Sequence, residues 1–163
     1  ADALITNVKN VAIGILTADC APMLLYDSNK KIIGAIHAGW KGAYKKIILK
    51  VIKYLLKKGS NLNNLHFVIG PSISQKNYEV GIEFKKKFLK QNLKNKKYFN
   101  NFKNRIYFSL KDYINGQLKD LGIKNIEIIK KDTYNRKNNF FSSRRSRKKN
   151  HDYGRNISVI MIK

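Results

Sequence analysis

The stretch from Thr17 to Gly42, TADCAPMLLYDSNKKIIGAIHAGWKG, holds the only cysteine of the chain, its only tryptophan and one of its three histidines. A thiol and an imidazole side by side support two chemistries. The imidazole can activate a thiolate nucleophile, as in cysteine hydrolases. Alternatively, the sulfur and a ring nitrogen can each ligate a metal ion, with a third donor required and one position left for water. Asp19 adds a carboxylate beside Cys20. Gly39 and Gly42 flank Trp40 and Lys41 just before a helix, where backbone can approach a ligand closely and free N–H groups suit an anion. The plain alternative is a buried cysteine acting as a small apolar group and a core histidine satisfied by a carbonyl.

For the pair to meet, the chain must fold back between them. Pro22–Asp27 and Lys31–Gly39 read as strands, and Ser28 and Asn29 between them are turn-compatible. A two-residue turn there pairs Asp27 with Lys30, Leu25 with Ile32, Pro22 with Ala35 and Cys20 with His37. Proline lacks the N–H that a hydrogen-bonded pair uses, which assigns Pro22, and two residues away Cys20, to non-hydrogen-bonded sites. Cβ atoms in such pairs lie about 4.5–5.5 Å apart. His66, in an apolar strand, and His151, in a basic loop, lack metal-ligand spacing.

The remaining elements follow from periodicity. Asn10–Leu16, Leu65–Gly70, NIEIIKK and NISVIMIK read as strands. From Ala43 to Gly59, Ile47, Val51 and Leu55 recur every four residues, opposite a lysine face, as in an amphipathic helix. A second helix runs from about Ile82 to Lys90. A third starts at Ser109, a cap residue answered by Asp112, and ends at Gly122. NLKNKKYFNNFKN reads as a surface loop. Strands and helices alternate without a regular βαβ beat, so the expected class is α/β (α+β) with a mixed sheet.

At 163 residues the chain has the length of one domain, residues 1–163, with a hydrophobic core. A lone cysteine excludes an internal disulfide and fits a reducing, cytoplasmic setting. No run approaches the roughly 20 apolar residues of a membrane span. Opening on Ala1 directly into strand-like sequence leads one to expect a preceding segment. The net charge of +24 would draw nucleic acid or anionic substrates, yet the lysines are scattered and accompany abundant Asn and Ile, which favours compositional bias. The dense exception is Ser142–Arg155, SSRRSRKKNHDYGR, a basic loop that could cradle a phosphate, contact RNA or simply be solvated.

TADCAPMLLYD, GAIHAGWKG, IGPSI followed by YEVG, FFSSRR and the closing GR resemble, in that order, the signature blocks of the YfiH or laccase-domain family, also called the multicopper polyphenol oxidase family. The match runs along essentially the whole chain. The resemblance implies a four-layer α/β/β/α sandwich and a zinc site made by one Cys and two His. Cys20 and His37 match two of those ligands, and the first His of the pattern falls upstream of Ala1, so the domain is expected to be incomplete at its N-terminus and its activity impaired. It also implies phosphorolysis of adenosine, inosine and methylthioadenosine, and hydrolytic deamination of adenosine. The catalytic candidates are then Asp19, Cys20 and His37, with Asp19 as proton carrier; Lys41, Arg144, Arg145 and Arg155 are candidates to bind the substrate's phosphate. Lys41 stands where the family usually has Arg, Asn77 where a Cys commonly precedes YEV, and Tyr134 near another usual Cys. Copper is disfavoured, because several copper centres need far more ligands than three His and one Cys. Two other readings are a cysteine hydrolase or amidase acting on a cell-wall precursor through Cys20, and a basic nucleic-acid-binding protein without catalysis.

Overall fold

The computed structural model describes residues 2–147 and 154–163. Among the described residues the strands, most of them short apolar runs bounded by turn residues, are β1 (Ala3–Thr6), β2 (Ala12–Thr17), β3 (Ala21–Asp27), β4 (Ile32–Ala38), β5 (Leu65–Ile69), β6 (Glu79–Val80), β7 (Phe99–Phe102), β8 (Arg105–Phe108), β9 (Asn125–Ile128) and β10 (Asn156–Met161). The helices are α1 (Trp40–Tyr44), α2 (Ile47–Lys57), α3 (Ile82–Gln91), α4 (Leu110–Asp120) and α5 (Ser143–Arg147). The strands form a five-stranded sheet in the order β1-β4-β3-β5-β9, a three-stranded sheet β6-β8-β7 and a ribbon of β2 with β10. All pairs are antiparallel except β5 with β9. This is the mixed α/β arrangement with mixed sheets that the sequence leads one to expect.

Alternation along β3 and β4 gives the large sheet two different faces. Met23, Leu25 and Ile36 join Phe67 and Ile69 under the apolar stripes of α2 (Ile48, Val51, Ile52, Leu55) and α4 (Leu110, Ile114, Leu118). Ile33 and Ala35 are buried on the other face, over which the ribbon passes and contributes Ile15. Rings of Phe84, Phe88, Phe99, Phe108 and Tyr113 pack together beside the small sheet, with centroid separations of 4.7 Å for Phe84 with Phe88 and 4.9 Å for Phe88 with Phe108.

Three expectations need correction. The single helix from Ala43 to Gly59 is broken: Lys46 adopts a left-handed φ of 60° and separates α1 from α2. Residues 92–104 are not merely loop, because Leu93–Tyr98 form a 3₁₀ turn that buries Asn95 and Tyr98, and Phe99–Phe102 pair with β8. Ser109 precedes α4 as anticipated, but its hydroxyl donates to Asp112 instead of accepting from the helix N–H groups. Among the described residues no helix is long and apolar enough to cross a membrane.

Candidate functional site

The β3–β4 hairpin sets the positions of Cys20 and His37. Its loop has four residues, Ser28–Lys31, not two, and the register pairs Asp27 with Ile32, Leu24 with Ala35 and Pro22 with His37. The cause is local. Asp27 Oδ1 accepts the backbone N–H of both Asn29 and Lys30 at 2.9 Å, and Lys31 turns the chain with a φ of 53°. Cys20 therefore does not stand directly opposite His37.

A slip of two residues keeps every side chain on its face, because the side-chain period of a strand is two. Pro22 occupies a non-hydrogen-bonded site, as its missing N–H requires; the His37 N–H goes to Asp2 O, and Pro22 O accepts from Gly70 N, both at 2.8 Å. Extending the register sets Cys20 across from Gly39. A Cβ at Gly39 would lie 2.8 Å from Cys20 Sγ and 3.7 Å from His37 Nε2. The sulfur thus sits against the bare glycine and the imidazole borders the same point. Gly39 has an ordinary φ of −74°, so it is space and not backbone conformation that calls for glycine here.

Neither group is charged near neutral pH. Burial, followed by the nearby Asp19 carboxylate, pushes the Cys20 thiol up to about 11. Burial holds His37 below the usual imidazole value, with Asp2 acting weakly against it. A neutral imidazole offers its lone pair to a metal ion, and a thiol becomes a good ligand once a cation replaces its proton.

Asp19 occupies a left-handed backbone position with a φ of 79° and is 9% exposed. Its Oδ1 accepts from Thr133 Oγ1 at 2.7 Å, and its Oδ2 accepts from Ser142 Oγ at 3.0 Å and from the Arg144 N–H at 2.6 Å. The carboxylate therefore draws α5 and the segment around Thr133 onto the start of β3. These three bonds clamp both segments to the residue next to Cys20.

Beside Cys20 opens a cleft of about 220 Å³ whose walls include Asp19, Cys20, Trp40, Tyr78, Arg144 and Arg147. Arg144 lies 5.4 Å above the Tyr78 ring and donates from Nη1 to the Glu79 carbonyl at 2.9 Å; the Glu79 carboxylate itself meets Arg105. Arg145 points elsewhere. Its guanidinium donates to the carbonyls of Thr133, Tyr134 and Phe140 and braces that segment. Lys41 is exposed, with Nζ 5.7 Å from the Trp40 ring, and Lys87 approaches the same ring at 5.5 Å. Arg155 is exposed and donates to the Gly154 carbonyl at 3.4 Å.

The structure thus gathers Asp19, Cys20 and Arg144 at one cleft, with His37 close to Gly39 and Lys41 beside the Trp40 ring. Trp40, Tyr78 and Arg147 also line it and were not among the site residues expected from the sequence, although GAIHAGWKG, YEVG and FFSSRR contain or adjoin them. A second hollow of about 250 Å³, lined by Tyr98, Tyr113 and Gln117, contains none of these groups.

The donor set fits a metal ion in part. Cys20 and His37 converge, but among the described residues no three His, Cys, Asp or Glu side chains group closely enough to hold an ion. His66 is exposed on β5 opposite Tyr26, and His151 lies outside the described residues.

The sequence is 40% identical over 166 residues to a purine nucleoside phosphorylase of Rickettsia conorii, a match covering 100% of this chain and 68% of that protein. It is 38% identical over 89 residues, 55% of this chain and 34% of the relative, to an adenosine deaminase from an unknown prokaryotic organism. The fold superposes on the Bacillus licheniformis hypothetical protein YfiH with a TM-score of 0.89 and 32% identity, covering 99% of this chain and 61% of that one. The chain thus spans about two thirds of the length of the longer of these matches. Residues 1–163 match the family described as multi-copper polyphenol oxidoreductase laccase, and the chain belongs to it.

Proposed function

We propose that this chain is a purine nucleoside phosphorylase that also deaminates adenosine, acting on adenosine, inosine and methylthioadenosine in the cytoplasm. One observation carries the reading: the Cys20 cleft combines two aromatic walls, Trp40 and Tyr78, with the guanidinium groups of Arg144 and Arg147. An aromatic face stacks a planar base, and guanidinium groups hold a phosphate. The names of the relatives, phosphorylase for most and deaminase for one, support the same substrate class.

In this reading the base lies against the Trp40 ring while Arg144 and Arg147 orient phosphate toward the ribose, with Lys41 adding positive charge beside it. Asp19 acts through α5 by fixing where the two arginines stand. Arg145, spent on three carbonyls, keeps the neighbouring segment in place. Cys20 and His37 are two of the donors to a zinc ion, preferred to copper because one cysteine and three histidines cannot furnish several copper centres. Zinc, when bound, supplies a Lewis acid that activates water near neutral pH.

A cysteine hydrolase is disfavoured by the thiol itself: with burial and Asp19 pushing it up to about 11, Cys20 is protonated at neutral pH and a poor nucleophile. A nucleic-acid-binding role would show as affinity that falls steeply with salt.

The test is incubation of the purified chain, with and without zinc, with inosine or adenosine in the presence and absence of phosphate, separating free base from deaminated nucleoside. Base release that requires phosphate, with loss of turnover in Cys20→Ala, supports the proposal. Full activity of Cys20→Ala overturns the metal assignment, and absence of base release overturns the phosphorylase.

A further inference from the structure

Tyr78 stands out among the cleft walls as a side chain whose ring is locked and whose hydroxyl is free. The ring meets Phe108 edge-on at 5.9 Å and Phe84 at 6.4 Å, and Arg144 covers it at 5.4 Å. Backbone bonds hold both sides of the residue: Tyr78 N donates to Gln75 O, and Phe108 N donates to Tyr78 O, both at 3.0 Å. Among the described residues no group bonds to the hydroxyl, which is not sealed from solvent. Burial, reinforced by Cys20 and opposed by Arg144, raises its pKa, so it remains a neutral donor at physiological pH.

Resting on the phosphorylase reading, we infer that the Tyr78 hydroxyl donates a hydrogen bond to N7 of the departing purine. In phosphorolysis a phosphate oxygen forms the bond to C1′ while the C1′–N9 bond breaks, and the bonding pair passes into the purine ring. A fixed donor at N7 stabilises the charge that develops there. The hydroxyl keeps its proton, and the base leaves as an anion that water then protonates. Preorganised donors of this kind act most strongly where charge appears in the transition state.

Tyr78→Phe removes only the hydroxyl and preserves the ring contacts; unchanged near-ultraviolet circular dichroism and melting temperature verify that. The variant and the wild type, both supplied with zinc and phosphate, are compared on inosine and on 7-methylguanosine. The N7 of the latter already carries a methyl group and cannot accept the bond. For inosine kcat/KM falls roughly 100-fold, the effect of removing one preorganised donor, mainly through kcat, while 7-methylguanosine is cleaved as fast as before. Equal losses on both substrates, or no loss on inosine, overturn the assignment to Tyr78 and leave the phosphorylase intact. A wild type that cleaves neither substrate overturns the phosphorylase and, with it, the role of Tyr78.

Discussion

The two ends of the β3–β4 hairpin are each organised by a buried aspartate, and they are organised differently. At the turn end, Asp27 accepts from Asn29 and Lys30, two and three residues away. At the open end, Asp19 accepts from Thr133, Ser142 and Arg144, at separations of 114, 123 and 125 residues. The first carboxylate shapes its own loop. The second gathers distant segments around Cys20, so that a cleft exists only where the tertiary fold is complete.

The largest expected effect separates these two roles. Asp19→Ala leaves the Thr133 and Ser142 hydroxyls and the Arg144 N–H without their charged acceptor; a loss of about 3 kcal/mol is the right order for hydrogen bonds to a charged group. Nucleoside turnover should vanish, because Arg144 and Arg147 lose their anchor. Asp27→Ala removes two bonds to a charged acceptor within one loop and should cost less, about 2 kcal/mol, with turnover unchanged. Denaturant midpoints and base release measured on both variants check the contrast; equal activity in the two would erase the distinction.

Gly39→Ala sharpens it at the open end alone. The new Cβ would lie 2.8 Å from Cys20 Sγ. Either the sulfur moves or the strand end does, at about 1–3 kcal/mol for an overpacked site. Zinc retention, measured by metal analysis after dialysis, should fall in this variant while the turn end keeps its hydrogen-exchange protection.

Acid should act through the open end as well. His37 titrates below its ordinary value of 6.5 in the fold, so the unfolded chain takes up the proton first. The stability this group contributes is complete above 6.5 and declines as pH falls from there through its lowered folded value. The decline should be present in the metal-free wild type and absent from His37→Gln, as read from urea midpoints across that window.

The smallest effect belongs to the turn. Lys31 holds a φ of 53°, a conformation glycine adopts freely, so Lys31→Gly should gain about 0.5 kcal/mol or less, strain relief being offset by unfolded-chain entropy. A measurable loss would mean that the Lys31 Nζ bond to the Tyr26 hydroxyl at 2.9 Å matters more than the backbone.

The same contrast explains what could be read from the sequence. Apolar runs marked β3 and β4, and Pro22 marked a non-hydrogen-bonded site, so the shared face of Cys20 and His37 was legible. The register was not, since Ser28 and Asn29 suit a two-residue turn and nothing in them reveals the carboxylate of Asp27 extending the loop to four. Arg144 and Arg145 are neighbours of one type; only the fold sends one over Tyr78 and the other onto three carbonyls. Phe99–Phe102 lies in a polar, lysine-rich stretch with no alternation to betray a strand, and its pairing depends on β8.

Trp40 sits on the wall of the cleft with the ammonium groups of Lys41 and Lys87 within 6 Å of its ring. Because it is the sole indole of the chain, all tryptophan emission originates at the mouth of that cavity. A molecule entering it changes the polarity and the cation field around one fluorophore, so the protein carries an unlabelled optical gauge of its own occupancy.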